Sequence, residues 1–502
     1  MGSPARAALL VAMTLGLGGC FESQRDETYE GTVVLDDVDV RVLHAVSDAP
    51  ALRLSAGGET RVEELDYGRV ATFSLPANHH EFLAEGYTGQ DGPEPLMDNL
   101  QGNLTEGKRH DLLLSGTLEE GSARAVLLTQ DDERFEPFED EEEPEVGDGL
   151  NSEEDDGEDA DADEDDEPVK DVRFRVAHLA PGGGEVDLYL GDDHSGDPDA
   201  TLGYGESTDA LRVVADVYRL QVTPADNSSS VLYDSGGNLD WESEDDLLVA
   251  VVPATGVQQA GDSPLSLVVV DGAEARHRPD QGQQAELAFV NASESTVDVT
   301  EEGGKVGWTD VASLETRPID EDDDYDAGGY AVTFENNDDA FDYGFTLKPG
   351  AAGTLVLRGL PADTEESASG TNESANASFL SNDARPVATN ARVRLLNAAS
   401  ANESALDAYL IEDDCGSNNG SLPVDGVIPE PLVSGLDYPN RSLVLPITPG
   451  EYQVVATAQG DPSDEKLCES VSLSEKGLYE LVIAEPGDGS EDPQLKMIGG
   501  VR

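Results

Sequence analysis

A short segment of alternating apolar and charged residues recurs four times along this 502-residue chain and constrains its fold more than any other feature. Each copy closes on a histidine or an asparagine. The intervals between these closing residues are 134, 113 and 106 positions. Removing an acidic insert of about 35 residues from the first interval leaves a unit of about 100 residues, the size of one β-sandwich domain. The copies are Val40–Ala45, Phe174–Leu179, Leu287–Ala292 and Val393–Ala398.

The repeated segment alternates with a period of two residues. In the first copy Val40, Val42 and His44 share one face, whereas Asp39 and Arg41 share the other, which predicts a half-buried β-strand. A second alternating strand follows, then a Leu-x-Tyr turn that copy three lacks, and finally an apolar strand, so each unit carries about six or seven strands. Helical periodicity is nearly absent. The sequence therefore predicts an all-β chain of tandem β-sandwich domains.

The closing residues His44, His178, Asn291 and Asn397 fall on the inward face of their strands. A buried polar group without a hydrogen-bond partner costs about 1 to 3 kcal/mol. We therefore expect these four residues to hold the loops that follow them by hydrogen bonds. This structural role is favoured over a catalytic or metal-binding one.

Arginines recur on the opposite face of the same strands. One interpretation is cross-strand pairing with local acids, which is common and individually weak. The other is docking of successive domains or of an acidic partner. We favour local pairing for the five positions, Arg41, Arg173, Arg175, Arg392 and Arg394.

The second strands of copies two and four, Val186–Leu190 and Leu406–Leu410, share an apolar-Asp-x-Tyr-Leu pattern. Together with the opening strands, they resemble a bacterial family described as domain of unknown function 4397. The resemblance covers most of the chain and is weakest in copy three. It implies immunoglobulin-like or transthyretin-like sandwiches in exported proteins. It implies no established activity and no catalytic residues.

The domain order follows from the repeats and from two stretches of biased composition. Between Glu139 and Glu167, 19 of 29 residues are acidic, which predicts a solvated, disordered spacer that lets repeats 2 to 4 move independently of repeat 1. The predicted segments are a signal peptide with lipobox at 1–20, a tether at 21–37, repeat 1 at 38–130, the acidic linker at 131–170, repeat 2 at 171–272, a degenerate repeat 3 at 284–360, a flexible linker at 361–390 and repeat 4 at 391–502.

The N-terminus resembles a bacterial lipoprotein signal peptide. Arg6 precedes an apolar run at 7–17, and two glycines lead into Cys20, which predicts cleavage before Cys20 and attachment of a diacylglyceryl group to its thiol. Two or more acyl chains anchor a protein stably. Phe21 stands where an Asp would resemble an inner-membrane retention signal, so we expect an outer-membrane lipoprotein. The alternative is an ordinary secretory leader with an incidental cysteine.

Two further cysteines, Cys415 and Cys468, remain as a pair in an exported and oxidising compartment. They predict one disulfide, which stabilises by roughly 4 kcal/mol in the chain-entropy model. The alternative is two buried free thiols.

The net charge of −77 excludes classes of partner. No basic patch is available to release counterions from a polyanion, so nucleic-acid binding is excluded. Abundant acids and scarce lysines resemble proteins of halophiles, since molar salt shortens the screening length to ~3 Å. This predicts weaker stability at low ionic strength. No cofactor and no specific metal site are expected, and the acidic runs predict only diffuse cation binding.

These features together predict a lipid-anchored protein of the cell envelope that acts as a binding or spacer module without catalysis. Its partners would be the membrane, through the lipid, and an envelope or extracellular protein or glycan. The repeats would face either the periplasm or the cell surface. Two alternatives stay open, a hydrolase of envelope polymers with an unrecognised site and a purely structural surface protein.

Overall fold

A computed structural model describes five stretches of the chain, and all of their secondary-structure elements are β-strands. Across these stretches no helix is long and apolar enough to cross a membrane. The predicted signal peptide with Cys20, the predicted tether up to residue 36 and the predicted acidic linker beyond Asp131 lie outside the described residues. The stretches are 37–131, 171–256, 263–358, 376–399 and 405–500, apart from 89–92, 98–99, 183, 192–195, 215, 238, 242–245, 302, 305, 318–324, 337–338, 383–384, 413–421, 423–428 and 486–492.

Repeat 1 is a sandwich of two sheets around an apolar core. The strands are Asp37–Val46 (β1), Leu52–Ala56 (β2), Glu59–Leu65 (β3), Val70–Pro76 (β4), His79–Tyr87 (β5), Pro93–Pro95 (β6), Leu100–Asn103 (β7), Lys108–Gly116 (β8) and Arg124–Asp131 (β9). One sheet has the order β4-β1-β8-β9. The other has the order β3-β2-β5-β6, with β7 also paired to β5.

Repeat 2 has the same two sheets and a small additional ribbon. The strands are Asp171–His178 (β10), Val186–Leu190 (β11), Ala200–Leu202 (β12), Leu211–Val214 (β13), Val217–Tyr218 (β14), Leu220–Pro224 (β15), Tyr233–Asp234 (β16), Leu239–Asp240 (β17), Asp246–Pro253 (β18), Leu265–Asp271 (β19) and Glu274–Arg278 (β20). The sheet orders are β13-β10-β18-β19-β20, β12-β11-β15-β16 and β14-β17. Because β20 pairs with β19, the repeat extends past the predicted boundary at 272.

Repeat 3 is a complete sandwich of two four-stranded sheets, β24-β21-β27-β28 and β23-β22-β25-β26. Its strands are Glu286–Asn291 (β21), Val297–Glu301 (β22), Gly307–Val311 (β23), Thr316–Arg317 (β24), Gly328–Glu335 (β25), Ala340–Leu347 (β26), Ala352–Leu357 (β27) and Ala377–Asn382 (β28). The prediction of a flexible linker over 361–390 is wrong for β28, which pairs with β27 along its whole length. Polar composition in this segment concealed an edge strand that buries Ala377 and Leu380.

Repeat 4 also has two four-stranded sheets, β32-β29-β35-β36 and β31-β30-β33-β34. Its strands are Ala391–Asn397 (β29), Leu406–Ile411 (β30), Val433–Leu436 (β31), Leu445–Ile447 (β32), Gly450–Ala458 (β33), Asp461–Leu473 (β34), Leu478–Ala484 (β35) and Gln494–Gly500 (β36).

The four repeats share one topological feature. The first strand of each pairs parallel with a late strand of the same sheet, as β1 with β8, β10 with β18, β21 with β27 and β29 with β35. The other pairings between the described strands are antiparallel, as between β1 and β4 or between β8 and β9. The prediction of an all-β chain of tandem β-sandwiches is confirmed.

Repeats 1 and 2 pack face to face through the outer sides of the sheets that contain β1 and β10. Leu43 and Leu113 from repeat 1 join Leu179, Leu248 and the rest of a buried apolar cluster from repeat 2. The sheets at this interface are therefore covered on both faces, and β18, which is apolar from Leu247 to Val252, has the sequence expected of such a strand. The prediction that repeats 2 to 4 move independently of repeat 1 is wrong, because separation would expose this cluster to water.

Charged side chains border the same interface. Arg41 donates to Asp111 at 2.7 Å within repeat 1, and Arg109 crosses to Asp246 of repeat 2 at 2.7 Å. Asp246 also accepts from Arg173 at 3.5 Å within repeat 2. Local pairing and domain docking are alternatives in the sequence analysis, but here the carboxylate of Asp246 serves both, since it pairs with Arg173 of its own repeat and with Arg109 of repeat 1.

Repeats 3 and 4 form a second pair through equivalent sheets. Val290 and Val356 of repeat 3 pack with Leu396 and Val482 of repeat 4 in a buried apolar cluster. The chain thus folds as two pairs of sandwiches, each joined through the sheet that carries the repeated first strand.

Candidate functional site

His44 ends the inward face of β1 and is fully buried. Its Nε2 lies 3.0 Å from the carbonyl oxygen of Pro50, and its Nδ1 accepts from the backbone N–H of Val46 at 3.3 Å. Together these contacts require the tautomer with its proton on Nε2. Burial, and next the positive charge of Arg385, lower the pKa of His44 to about 3. The ring is therefore neutral, and its hydrogen bonds hold the loop before β2 in place.

His178 occupies the equivalent place in repeat 2. Its Nε2 lies 3.2 Å from the carbonyl oxygen of Gly184, six residues along the chain as in repeat 1. Its Nδ1 has no hydrogen-bond partner among the described residues. Burial lowers the pKa of His178 below its usual value. This ring also stays neutral and holds the loop that follows.

The two asparagines share with His44 a contact to the backbone N–H two residues later, and they differ from it in a second bond that reaches the opposite sheet. In each, Oδ1 accepts from the backbone N–H two residues later, and Nδ2 donates to the carbonyl at the end of a strand in the opposite sheet. Both side chains are fully buried. The partners are Ser293 and Val311 for Asn291, and Ala399 and Leu436 for Asn397, at 3.1 and 2.9 Å in both repeats.

The tyrosine of each Leu-x-Tyr turn contacts an arginine from outside its own sandwich. The Arg385 guanidinium carbon lies 4.8 Å from the centroid of the Tyr67 ring, and that of Arg124 lies 3.8 Å from the centroid of the Tyr204 ring. Both are cation–π distances. Arg358 of repeat 3 hydrogen-bonds to the hydroxyl of Tyr438 in repeat 4. The turns therefore lie at the junctions between repeats.

Arg385 belongs to the connection between repeats 3 and 4, and it attaches that connection to repeat 1. It donates to the carbonyl oxygens of Ser47 and Ala49 at 3.2 and 2.6 Å. Ala388 N–H donates to the carbonyl of Asp48 at 2.8 Å. These bonds hold the connection that leads into repeat 4 against repeat 1, and those of Arg385 span 338 and 336 residues of sequence.

A cleft of about 620 Å³ lies at this junction. One wall comes from the Leu-x-Tyr turn and the end of β5 in repeat 1, and the other from the 385–392 segment and the approach to β32. The described residues that line it are Pro50, Ala51, Glu64, Asp66, Tyr67, Arg69, Tyr87, Arg385, Val387, Asn390, Arg392, Leu443, Val444 and Pro446.

The charge of the cleft differs from that of the chain. Among the described residues that line it, Arg69, Arg385 and Arg392 face only two acids, Glu64 and Asp66. In the whole chain 106 acidic residues stand against 29 basic ones. The lining of the cleft therefore carries more basic than acidic residues, unlike the chain as a whole.

Two other lining residues are unusual for a folded surface. Asn390 is 1% exposed and donates through Nδ2 to the carbonyl of Tyr87 at 3.3 Å. Its Oδ1 has no hydrogen-bond partner among the described residues. Leu443, at 85% exposure, is the most exposed large apolar side chain among the described residues. A buried acceptor and an exposed leucine on one cleft are features of a binding surface.

The residues predicted from sequence do not converge on one site. His44, His178, Asn291 and Asn397 lie at four separate strand ends. Only His44 lies beside the cleft, since its partner Pro50 forms part of the lining. Cys468 is disulfide-bonded, but Cys415 lies outside the described residues, so their pairing stays a prediction, as does lipidation of Cys20.

Sequence reasoning missed the cleft because its walls come from distant repeats. Arg385 and Asn390 fell within the segment predicted to be a flexible linker. The available signal was the Leu-x-Tyr tyrosine, an aromatic residue placed at a turn in three of the four copies. Among the described residues no group of three or more His, Cys, Asp or Glu side chains is arranged to hold a metal ion.

Comparison with known proteins adds little to this geometry. No protein-family model and no curated protein matches the chain. One solved structure that it matches is the Bacillus anthracis TIE protein, at 8% sequence identity and a TM-score of 0.14, covering 91% of this chain and 76% of that one. A likeness this low carries no argument about fold or function. The resemblance to the domain of unknown function 4397 family stays a prediction.

Proposed function

We propose that this protein is a lipid-anchored binding module of the cell envelope and that it holds its partner in the cleft between repeats 1 and 4. The observation that carries the proposal is the cleft itself, in which arginines, tyrosines and an exposed leucine line a space of about 620 Å³ between two domains. Junctions between domains are preferred places for ligand sites. The packed pairs of sandwiches would hold its two walls in place.

The anchor in this proposal is the lipid on Cys20. The tether and repeat 1 follow it directly in the sequence, so repeat 1 and its cleft would be held near the membrane. An outer-membrane location fits Phe21 after Cys20. Protease shaving of intact and lysed cells distinguishes a surface-facing protein, digested in both, from a periplasmic one that is protected until lysis.

A binding role suits the lining better than hydrolysis does. Arginine and tyrosine are the residues that dominate recognition surfaces, because each combines a large contact area with directional hydrogen bonds. The two carboxylates, Glu64 and Asp66, are exposed on the same side of the cleft. We therefore place binding first and keep the hydrolase of envelope polymers as the alternative.

The test uses the soluble chain from residue 21 with Cys20 removed, passed over immobilised envelope extract in molar NaCl. Leu443→Asp places a charge in the cleft without altering a core, since Leu443 is 85% exposed. The matched control is Val217→Asp in repeat 2, where the side chain is 55% exposed and distant from the cleft. We expect saturable binding that Leu443→Asp reduces about tenfold or more and Val217→Asp leaves unchanged. Equal binding by both variants would remove the cleft from the proposal.

A further inference from the structure

We propose that the ligand of this cleft is a carboxylated saccharide, a short stretch of uronic-acid chain. This inference rests on the proposed function, because it names the class of ligand for the same cleft. Three properties of the lining carry it, namely its charge, the kind of cation present and the distribution of hydrogen-bonding groups.

The charge of the lining admits an anion. With a net charge of −77 the protein repels anionic polymers over most of its surface. In the cleft, Arg69, Arg385 and Arg392 outnumber the two acids. The field of Arg385 extends beyond its own contacts, since its charge is the second cause of the lowered pKa of His44. An acidic ligand is therefore attracted at this place.

All three cations are arginines. The planar guanidinium presents parallel N–H donors that match the two oxygens of a carboxylate, whereas lysine offers a point charge. Arg69 is exposed on the repeat 1 wall, and Arg392 is partly exposed on the opposite wall. Carboxylates on successive rings of a uronic-acid chain would meet arginines on both walls.

The remaining groups favour a sugar over an acidic peptide. The buried Oδ1 of Asn390 requires a donor, and Glu64 and Asp66 also only accept hydrogen bonds when ionised. Sugar hydroxyls supply such donors on every ring, whereas the ionised side chains of an acidic peptide only accept hydrogen bonds. The rings of Tyr67 and Tyr87, with Leu443, offer apolar surface to the C–H faces of a sugar.

The test measures the affinity of the soluble chain for tetragalacturonic acid by calorimetry in molar NaCl with EDTA, which prevents divalent cations from bridging acids. The comparison probes are the same oligosaccharide with its carboxyl groups reduced and a pentaglutamate peptide. We expect saturable binding of the uronic acid, at least tenfold weaker binding of both comparison probes, and about tenfold loss on Arg69→Ala. The matched control is Arg317→Ala in repeat 3, a partly exposed arginine that pairs with Glu315 and does not line the cleft, and it should leave the affinity unchanged.

The other outcomes each overturn a stated part. Equal affinity for the carboxyl-reduced sugar would show that the cleft does not recognise the carboxyl groups of the ligand. Stronger binding of pentaglutamate than of the uronic acid would show that the ligand is an acidic peptide and not a saccharide. If none of the three probes binds while the envelope extract still binds and Leu443→Asp weakens it, the ligand class is wrong and the binding site stands. If the extract does not bind either, the proposed function falls together with the inference.

Discussion

The two halves of the molecule hold the same loop in different ways. In repeats 1 and 2 a histidine reaches forward to a carbonyl six residues along the chain, Pro50 from His44 and Gly184 from His178. In repeats 3 and 4 an asparagine reaches across to the opposite sheet, and Asn291 also donates to the Ser295 carbonyl four residues along the chain. The four residues lie at equivalent positions, because each points inward near the end of the first strand of its sandwich.

The difference is one of chemistry rather than of position. An imidazole buried without a carboxylate partner must stay neutral, so it links folding to the proton concentration. An amide has no titration in the accessible range. Because repeats 1 and 2 form one pair and repeats 3 and 4 the other, the chain has one pair whose loop bonds depend on pH and one whose loop bonds do not.

Lowering the pH should therefore reduce the stability of the repeat 1 and 2 pair more than that of the repeat 3 and 4 pair, and this is the largest effect we expect. The pKa of His44 is about 3 in the folded protein, whereas an unfolded chain has a value near 6.5. The unfolded state binds the extra proton, so the stabilisation is complete above pH 6.5 and is lost as the pH falls towards 3. The loss from His44 is about 2 kcal/mol at pH 5 and about 4 kcal/mol at pH 3.

The chain carries its own reporters for this measurement. It has two tryptophans, Trp241 in the core of repeat 2 and Trp308 at the core of repeat 3. Urea midpoints followed by fluorescence in the Trp308→Phe and Trp241→Phe backgrounds should show the repeat 2 midpoint falling more between pH 7.5 and 5. His44→Asn with His178→Asn should remove the excess. An equal fall at both tryptophans would show that carboxylates, common to both halves, dominate the acid response.

Removal of an asparagine should cost less, and the cost should not depend on pH. Asn291→Ala leaves the Ser293 N–H and the Val311 carbonyl buried without their partner. We expect the free energy of unfolding of repeat 3 to fall by about 2 to 3 kcal/mol, as measured by the Trp308 urea midpoint. The control is Glu294→Ala in the same loop, where the side chain is exposed. A loss that appears only at pH 5, or one no larger than the control, contradicts the comparison.

Local sequence patterns predict much of the sandwich fold, but they predict little of the cleft. The alternation around His44 assigns its side chain to the inner face, and the ring is buried there, because strand periodicity depends only on neighbouring residues. β28 shows the limit of this reasoning, since it is an edge strand in a polar segment and is held by its pairing with β27.

The contacts between repeats required information that periodicity does not contain. Arg124 and Tyr204 meet from positions 80 residues apart, and Arg385 reaches Ala49 from 336 residues away. One signal of docking was nevertheless present. Leu247–Val252 is apolar at every position and buried at every position, whereas a strand with one face in water alternates. Continuous apolar strands predict that a sandwich is covered on its outer face, although not by which neighbour.

The smallest expected effect concerns the tyrosine that accompanies the histidine. Tyr204 packs edge-on to His178 and lies under the guanidinium of Arg124, whereas repeat 3 has Ser313 at the corresponding turn. Tyr204→Leu keeps apolar volume and removes both ring contacts, so we expect repeat 2 to lose about 1 kcal/mol, seen as a lower Trp241 midpoint. Tyr204→Phe keeps the ring and should lose less than half of that. If phenylalanine costs as much as leucine, the hydroxyl, 3.3 Å from Ser115 Oγ, stabilises the junction instead of the ring.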